Sequence, residues 1–351
     1  MNLNKLTEAL TFDDVSIIPL KSEIESRSHI DVSNQMGKFK LNIPLISSPM
    51  DTVTESTMAI AIEKLGGLGI IHRFMSPEKQ CEEVKRVKEQ GLIAAAAIGS
   101  NWKRESNRFA WLKMANVDIL CIDVAHGHHS MTRDTIKAIR IVDPKIHIMA
   151  GNVATKEAIR DLAKWGANSI RVGIGSGSLC TTRLETGVGI PQITSIVECA
   201  AEADKHDIFI IADGGCRMPG DVAKALAAGA DAVMLGGMIA GTKESPGSIF
   251  RIGSFPNETL YKIYRGSASM ESKIERGEED KNIEGTTQRT IYRGKVKRIV
   301  NHILDGVRSS MSYVGARNIS EFQRKAEFVK VTNSGIVEAT AHGLDRNNLK
   351  I

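Results

Sequence analysis

Short apolar segments recur along the chain, and each is followed by a polar loop and a segment with helical spacing. Segments that are apolar almost throughout are typical of strands covered on both faces. The eight predicted strands span residues 43–47, 68–72, 93–98, 118–123, 146–150, 169–173, 208–213 and 232–236. The seven predicted helices span residues 55–65, 77–90, 104–115, 130–142, 155–165, 191–206 and 219–228. This alternation predicts a closed (β/α)8 barrel, the TIM barrel of the α/β class.

An open, doubly wound sheet is the alternative fold, but no GxGxxG motif follows the first predicted strand. Residues 10–15 and 15–19 are candidates for two short paired strands in an N-terminal extension. Residues 271–281 are mostly charged and predict a mobile, solvated flap rather than a packed element. Residues 295–304 predict a further helix, and the tail after Asn333 is expected to be irregular.

Polar and glycine-rich segments fall directly after the predicted strands, where barrel enzymes carry their active sites. These segments are residues 48–51, 125–127, 151–152, 173–183, 213–215 and 236–237. Because they all follow strand ends, we expect them to lie on one face of the barrel.

The segment from Gly173 to Arg183 begins with three glycines in five residues and carries Cys180 near its end. Glycine permits sharp turns that direct several backbone groups at one ligand. Thr181, Thr182 and Arg183 flank the thiol, and a neighbouring cation favours the thiolate. The pattern predicts an anion site beside a nucleophilic cysteine. A glycine-rich surface turn with an inert thiol is the alternative.

Glycine pairs after the last two predicted strands indicate a phosphate site. Residues 214–215 and 236–237, together with Ser178, fall in loops that commonly bind phosphate through backbone amides in barrels. Close packing of helix against strand is the alternative reason for these glycines. Asp213, at the end of a strand, suits the hydroxyls of a ribose, and a buried structural role is its alternative.

The remaining histidines and cysteines carry weaker signals. His126, His128 and His129 follow the fourth predicted strand without a third ligand at metal spacing, so a polar contact in a cofactor cleft is favoured over a metal site. Four cysteines lie on helix or strand patterns and are expected to be small packing residues: Cys81, Cys121, Cys199 and Cys216.

Composition excludes several classes of protein. No apolar segment reaches the roughly 18 residues of a membrane span, and the first residues lack a signal-peptide pattern, so we expect a cytoplasmic protein. Five widely spaced cysteines without a CxxC pair indicate reduced thiols rather than disulfides or zinc. The net charge of +5 is scattered, so a site for small anionic ligands explains it as well as nucleic acid does. No basic helix or aromatic stack favours a nucleic-acid partner, and none is expected.

Five segments together resemble the IMP dehydrogenase/GMP reductase family, and the resemblance extends from about Leu10 to Val331. The segments are Gly175-Ser-Gly-Ser-Leu-Cys-Thr-Thr-Arg183, Ala212-Asp-Gly-Gly215, Val233-Met-Leu-Gly-Gly-Met238, Ser48-Pro-Met-Asp-Thr-Val53 and Ala150-Gly-Asn152. The resemblance implies a barrel that assembles as a homotetramer and binds a purine nucleotide monophosphate, GMP or IMP. It also implies that Cys180 attacks C2 of the purine, that a nicotinamide cofactor exchanges hydride with this carbon, and that Thr182 and Glu284 relay protons.

The resemblance also implies the binding residues. The residues implied to bind the nucleotide are Ser48, Met50, Ser178, Asp213, Gly215, Gly236, Gly237, Tyr264 and Gly266. The residues implied to bind the nicotinamide cofactor are Asp123, Val124, Ala125, His126, Asn152 and Thr186. A monovalent cation, K+, is implied on the backbone carbonyls of Gly175, Gly177 and Cys180.

Two features favour the GMP reductase branch of that family over the dehydrogenase branch. Dehydrogenases usually carry a regulatory domain inserted after the second barrel strand, whereas here residues 71–73 lead through one helix to residue 93. We therefore expect residues 1–351 to form one catalytic domain. Dehydrogenases also carry an Arg-Tyr pair on the flap for hydrolysis, and the flap here, about residues 267–290, has no such pair before Glu284.

The motifs themselves are mixed between the two branches. Residues 186–189, 213–216, 219–224, 284–287 and 313–316 resemble reductases, while residues 11–14, 47–50, 125–127 and 239–246 resemble dehydrogenases. The favoured prediction is GMP reductase, which converts GMP with NADPH to IMP and ammonia through a cysteine thioimidate. The alternative is an IMP dehydrogenase lacking the regulatory domain, which converts IMP, NAD+ and water to XMP and NADH.

Overall fold

The computed structural model describes residues 6–254, 256–275, 281 and 283–339. Its strands are β1 (Val15–Ile17), β2 (Asn34–Met36), β3 (Phe39–Leu41), β4 (Leu45–Ser47), β5 (Leu68–Ile71), β6 (Ala95–Ile98), β7 (Ile119–Asp123), β8 (His147–Val153), β9 (Ser169–Val172), β10 (Phe209–Asp213), β11 (Ala232–Leu235), β12 (Phe250–Ile252), β13 (Thr259–Arg265), β14 (Thr287–Ile291) and β15 (Phe328–Lys330). Its α-helices are α1 (Ser56–Lys64), α2 (Pro77–Lys88), α3 (Trp102–Met114), α4 (Ser130–Val142), α5 (Lys156–Trp165), α6 (Thr182–Thr186), α7 (Gln192–Ala203), α8 (Pro219–Ala227), α9 (Gly237–Ala240), α10 (Met270–Glu275), α11 (Val296–Val314), α12 (Ile319–Lys325) and α13 (Asn333–Glu338).

Eight parallel strands, β4 to β11, close into a barrel in which β11 pairs back onto β4. Strands such as β5, β6, β9 and β11 are buried at every residue. They are buried because side chains point alternately into the barrel and outward against the helices. The predicted (β/α)8 barrel is confirmed, and each of the eight predicted strands overlaps an observed one.

A short hairpin, β2–β3, closes the amino end of the barrel. Its residues Met36, Phe39 and Leu41 are buried in the same cluster as the inward-facing residues of the barrel strands. The ring of Phe39 lies 5.8 Å from that of His147, the first residue of β8, in an edge-to-face arrangement. The sequence analysis did not predict this hairpin, because each of its strands has only three residues.

The buried imidazole of His147 predicts a loss of stability in acid. Burial lowers the pKa of His147 to about 4, and its Nε2 lies 2.9 Å from Ser169 Oγ. The unfolded chain takes up a proton below its ordinary pKa of about 6.5, while the folded protein does not, so stability is lost as the pH falls towards 4. We expect the free energy of unfolding to fall by about 2 kcal/mol more between pH 7 and pH 5 in the wild type than in His147→Gln.

Urea unfolding of both proteins at a series of pH values measures this difference. The control is His302→Gln, which removes an exposed histidine of α11 and should leave the pH slope of the wild type unchanged. Equal slopes for wild type and His147→Gln would contradict the prediction.

Two expectations for the chain termini are corrected, and a third is confirmed over a longer range. β1 does not pair with a neighbouring N-terminal strand but lies antiparallel to β15, with Val15 opposite Lys330. The helix expected at residues 295–304 continues as α11 to Val314. The tail expected to be irregular contains α13, whose first turn is capped by the side chain of Thr332, and residues 340–351 lie outside the described residues.

The predicted flap also contains packed structure. β12, β13 and β14 form an antiparallel sheet after the barrel, and α10 follows β13. Ser272 of α10 is only 1% exposed, so the expectation that residues 271–281 form no packed element is wrong for the helix. Residues 276–280 lie outside the described residues. Across the described ranges, no helix has the length and apolar character needed to cross a membrane.

Candidate active site

The cysteine loop lies at the carboxyl end of β9 and is held against the end of β10. Gly173 adopts a φ of +149°, and a side chain there would lie 2.0 Å from the Asp213 carbonyl oxygen, so only glycine fits. Ser176 Oγ donates a hydrogen bond of 3.0 Å to the same oxygen. The loop that carries Cys180 is therefore fixed to the loop that carries Asp213.

A hydrogen-bonded chain, hereafter the proton relay, joins Cys180, Thr182 and Glu284. Cys180 Sγ donates to Thr182 Oγ1 at 3.0 Å, and Thr182 Oγ1 donates to Glu284 Oε2 at 2.7 Å. All three residues are half-buried. A proton leaving the sulfur can pass through the hydroxyl to the carboxylate, or return by the same route. These are the three residues that the family resemblance implied to be catalytic.

The backbone pairs the cysteine loop with the flap. Thr181 N donates to the Glu284 carbonyl at 3.1 Å, and Thr286 N donates to the Leu179 carbonyl at 3.0 Å. This short antiparallel bridge brings Glu284 to the sulfur although it lies 104 positions further along the chain.

A buried arginine joins two of the predicted binding residues. Arg171, which is 5% exposed, donates to Asp123 Oδ1 at 2.7 Å and to Asp213 Oδ2 at 2.8 Å. Asn152 Nδ2 also donates to Asp213 Oδ2, at 2.9 Å. Arg171 bridges two carboxylates that would otherwise repel each other, offsets part of their charge and fixes their orientation. Arg171 was not predicted as a site residue, although a charged residue within the apolar strand β9 was the available signal.

A second group of predicted residues meets beside the cysteine loop. Tyr264 is 8% exposed, and its hydroxyl lies 3.4 Å from Ser178 Oγ. Burial raises the pKa of Tyr264, so its hydroxyl stays a donor. A side chain on Gly236 would lie 2.9 Å from this hydroxyl and 3.5 Å from the Met50 sulfur, so Met50, Ser178, Gly236 and Tyr264 lie close together. Hydroxyl groups and the first amides of α9 can bind a phosphate there.

Three further residues predicted to bind the nucleotide have contacts of their own. Ser48, directly after β4, is 6% exposed, and its N–H donates to the Leu235 carbonyl. Gly215 has a φ of +86° and is backed by the ring of Phe12. Gly266 lies against Leu179 and Gly285.

The residues predicted to face a nicotinamide line the ends of β7 and β8. Asn152 Oδ1 is buried and has no hydrogen-bond partner among the described residues, so it can accept a hydrogen bond from a carboxamide. Val124 pairs with residues 151 and 152 through its backbone, while Ala125 and His126 are exposed. Partial desolvation of the imidazole, together with the neighbouring His128 and His129, lowers the pKa of His126.

Two groups predicted to contact the cofactor or K+, the Thr186 hydroxyl and the Gly177 carbonyl, form hydrogen bonds within the cysteine loop and α6. Thr186 is exposed at the end of α6, and its hydroxyl donates to the Thr182 carbonyl. The Gly177 carbonyl, one of the three predicted to bind K+, accepts the Cys180 N–H at 3.0 Å. Within the described ranges no group of three or more His, Cys, Asp or Glu side chains could hold a metal ion. The carbonyl site for K+ therefore stays a prediction.

Comparison with known proteins identifies a family and a set of relatives. Residues 9–342 match the IMP dehydrogenase / GMP reductase domain. Inosine-5'-monophosphate dehydrogenase of Borreliella burgdorferi is 40% identical over 397 residues, covering 97% of this chain and 98% of that protein. The same-named protein of Cryptosporidium parvum is 38% identical over 399 residues, covering 98% of both chains. That of Bacillus subtilis is 34% identical over 473 residues, covering 95% of this chain and 96% of its own.

The relatives differ in how many positions they carry that this chain lacks. Since 97% of 351 residues is about 340, about 57 of the 397 positions in the Borreliella alignment have no residue in this chain. For the Bacillus protein, 95% of 351 is about 333, which leaves about 140 of 473 positions without one. The first relative is therefore much closer to this chain in length than the second.

Proposed function

The chain belongs to the IMP dehydrogenase/GMP reductase family of oxidoreductases, and we propose that it oxidises IMP to XMP with NAD+ and water through a covalent bond to Cys180. The observation that carries this proposal is the proton relay from the Cys180 sulfur through Thr182 to the Glu284 carboxylate. The relay supplies one base for two steps: it takes the proton of the Cys180 thiol during attack, and later that of the water that hydrolyses the thioimidate.

The choice of oxidation over reduction rests on the relatives. The curated proteins at 33–40% identity are named as dehydrogenases, and the favoured prediction of GMP reductase has no such support among them. The missing regulatory insert does not argue for a reductase, because the Borreliella dehydrogenase aligns almost end to end with only about 57 extra positions. The flap still lacks the Arg-Tyr pair that usually activates water in dehydrogenases. We propose that Thr182 and Glu284 activate the water here.

The proposed reaction begins with attack of the Cys180 sulfur on C2 of IMP. The thiol proton passes to Thr182 Oγ1 as the Thr182 proton passes to Glu284, and Glu284 then releases its proton to solvent. A bound nicotinamide supplies the acceptor for the hydride that C2 loses, and the unpaired Asn152 Oδ1 together with Asp123 and Arg171 would hold it.

Hydrolysis completes the cycle on the same residues. Water adds to C2 of the thioimidate and gives its proton through Thr182 to Glu284. The C2–S bond breaks, XMP leaves, and the relay returns the proton to Cys180. Each proton removed is accounted for, and the net products are XMP, a reduced nicotinamide and one proton.

Nucleotide affinity is expected to depend on Ser178. Its hydroxyl lies beside Tyr264 in the proposed phosphate site, and a hydrogen bond to a charged group contributes about 1.5–3 kcal/mol. We expect Ser178→Ala to weaken IMP binding about tenfold or more, measured by isothermal titration calorimetry. Ser22→Ala, an exposed serine of the N-terminal segment, is the control and should bind normally. Unchanged affinity in Ser178→Ala would place the phosphate elsewhere.

GMP reduction is the second candidate function, and the flap sequence favours it. No Arg-Tyr pair lies between Gly266 and Glu284, so this chain lacks the group that usually activates water in dehydrogenases. The same proton relay can protonate departing ammonia, after which hydride from NADPH would resolve the thioimidate. The homotetramer, the cytoplasmic location and the K+ site also stay predictions.

Parallel assays decide between the two reactions. Purified protein is incubated with IMP plus NAD+ and, separately, with GMP plus NADPH, and the nucleotide products are identified by chromatography. The proposal expects XMP from the first mixture and little IMP from the second. Rapid formation of IMP and ammonia from GMP, without XMP from IMP, would overturn it in favour of the reductase.

A further inference from the structure

A nearly buried ion pair lies where the flap leaves the barrel. Asp51, in the loop after β4, accepts hydrogen bonds at Oδ2 from Arg265 Nε at 2.8 Å and from Arg265 Nη2 at 2.7 Å. The Asp51 side chain is 10% exposed and that of Arg265 is 17% exposed. Asp51 is not among the residues implied to bind nucleotide or cofactor, so the reaction described above does not use this pair.

The backbone beside the pair is tied to the same loop. Arg265 N donates to Thr52 Oγ1 at 3.2 Å, and Arg265 is the last residue of β13. Ser272 Oγ reaches Asp51 Oδ2 at 3.5 Å from α10. Asp51 therefore contacts the flap on both sides of residues 266–269, which we call the outgoing arm.

The outgoing arm in turn contacts residues 284–286, which we call the return arm. Gly266 N donates to the Thr286 carbonyl at 3.0 Å, and Glu284 N donates to the Ala268 carbonyl at 3.2 Å. A side chain on Gly285 would lie 3.2 Å from Ser269 N, so the two arms are in close contact. On its other side the return arm bridges to Cys180.

We propose that Asp51 and Arg265 form a positioning pair that holds Glu284 against Thr182. The path of contacts runs from Asp51 through the outgoing arm to the return arm, which carries the Glu284 carboxylate. This inference rests on the proton relay of the proposed function, but it holds for either direction of hydride transfer. Neither residue of the pair touches the sulfur, so any effect on chemistry passes through Glu284.

Asparagine is the mildest change that tests the pair. Asp51→Asn removes the charge that pairs with the guanidinium but keeps the size and an acceptor oxygen, whereas truncation of Asp51 would remove the hydrogen bonds as well. Because sub-ångström placement of a proton relay governs rate, we expect kcat to fall about 10- to 100-fold. Nucleotide affinity, measured by calorimetry, should change less than about threefold.

A double-mutant cycle with Glu284→Gln separates positioning from general stability. If Asp51 acts through Glu284, then Asp51→Asn lowers kcat in the wild type but has almost no effect in Glu284→Gln. The inference would be overturned if the fold-losses in kcat of the two single variants multiply in the double variant. An unchanged kcat in Asp51→Asn would overturn it as well. The cycle is run with whichever nucleotide and cofactor the wild type converts, so a wrong choice of reaction direction does not affect it.

Thiol chemistry supplies a readout that needs no turnover. Iodoacetamide alkylation of Cys180, followed by peptide mass spectrometry across a pH series, should give similar altered profiles for Asp51→Asn and Glu284→Gln. Glu202→Gln is the control, because it removes another buried carboxylate, which is bonded to Arg160 of α5 and to Lys205 and His206 in the turn after α7. It should reduce thermal stability and leave the alkylation profile of the wild type unchanged. A wild-type profile in Asp51→Asn would contradict the proposal even if the protein turned over neither nucleotide.

Discussion

Cys180→Ala is expected to abolish turnover while leaving nucleotide binding largely intact. The sulfur is the atom proposed to bond C2 of the purine, and alanine offers no nucleophile in its place. We expect kcat to fall by at least about 10⁴-fold, as when other enzymes lose a covalent nucleophile. The proposed phosphate contacts of Ser178 and Tyr264 do not involve the thiol, so the dissociation constant for IMP should change less than about threefold. Steady-state assays and calorimetry measure the two quantities.

Cys81→Ala is the matched control for this experiment. Cys81 is a free thiol that is 1% exposed within α2, and the sequence analysis expected it to be a packing residue. Its replacement should cost some stability but no catalytic rate at moderate temperature. Substantial turnover by Cys180→Ala would remove the covalent scheme for either reaction.

Glu284→Gln is expected to slow hydrolysis about 10²- to 10³-fold, with a smaller effect on hydride transfer. An amide cannot take the proton that Thr182 Oγ1 passes on, so the relay is interrupted at its end. A water molecule holds its proton about seven pKa units more tightly than a free thiol, so the water step depends more on a base. A rapid burst of NADH followed by very slow steady-state turnover should therefore be seen in stopped-flow absorbance.

Glu271→Gln provides a control on the same flap. Glu271 Oε2 accepts a hydrogen bond of 2.7 Å from Thr287, the same length as the bond from Thr182 to Glu284, and it has no described contact with Cys180. Its kcat should stay within about twofold of the wild type. Equal losses of burst and steady-state rate in Glu284→Gln would show that the carboxylate does not act specifically on water.

The barrel and the face that carries the site could be predicted because both follow from short stretches of the sequence. An apolar segment of four or five residues followed by a helical period predicts a buried strand and its helix, as for β6 and α3. Residues directly after such strands must lie at one end of the barrel, which placed Cys180 near Asp213. The glycines that permit the cysteine loop were visible for the same reason.

Features that depend on distant partners could not be predicted from the residues alone. Glu284 carried little weight as a lone charged residue in a polar segment, and only the family resemblance assigned it a role before the backbone bridge to Cys180 was seen. Arg171 was missed because its two carboxylate partners lie on other strands, β7 and β10. The helix α10 was hidden by its many charges, since its burial comes from Ser272 and not from an apolar stripe.

The central claim is a transient bond between Cys180 and the purine, and rapid quenching tests it most directly. Protein mixed with IMP and NAD+ is quenched in acid within the first turnover and digested with trypsin, which releases residues 172–183 as one peptide. The account predicts that this peptide carries a purine monophosphate on Cys180 and that the adduct decays as XMP accumulates. XMP formed with no adduct on this peptide at any time would contradict it.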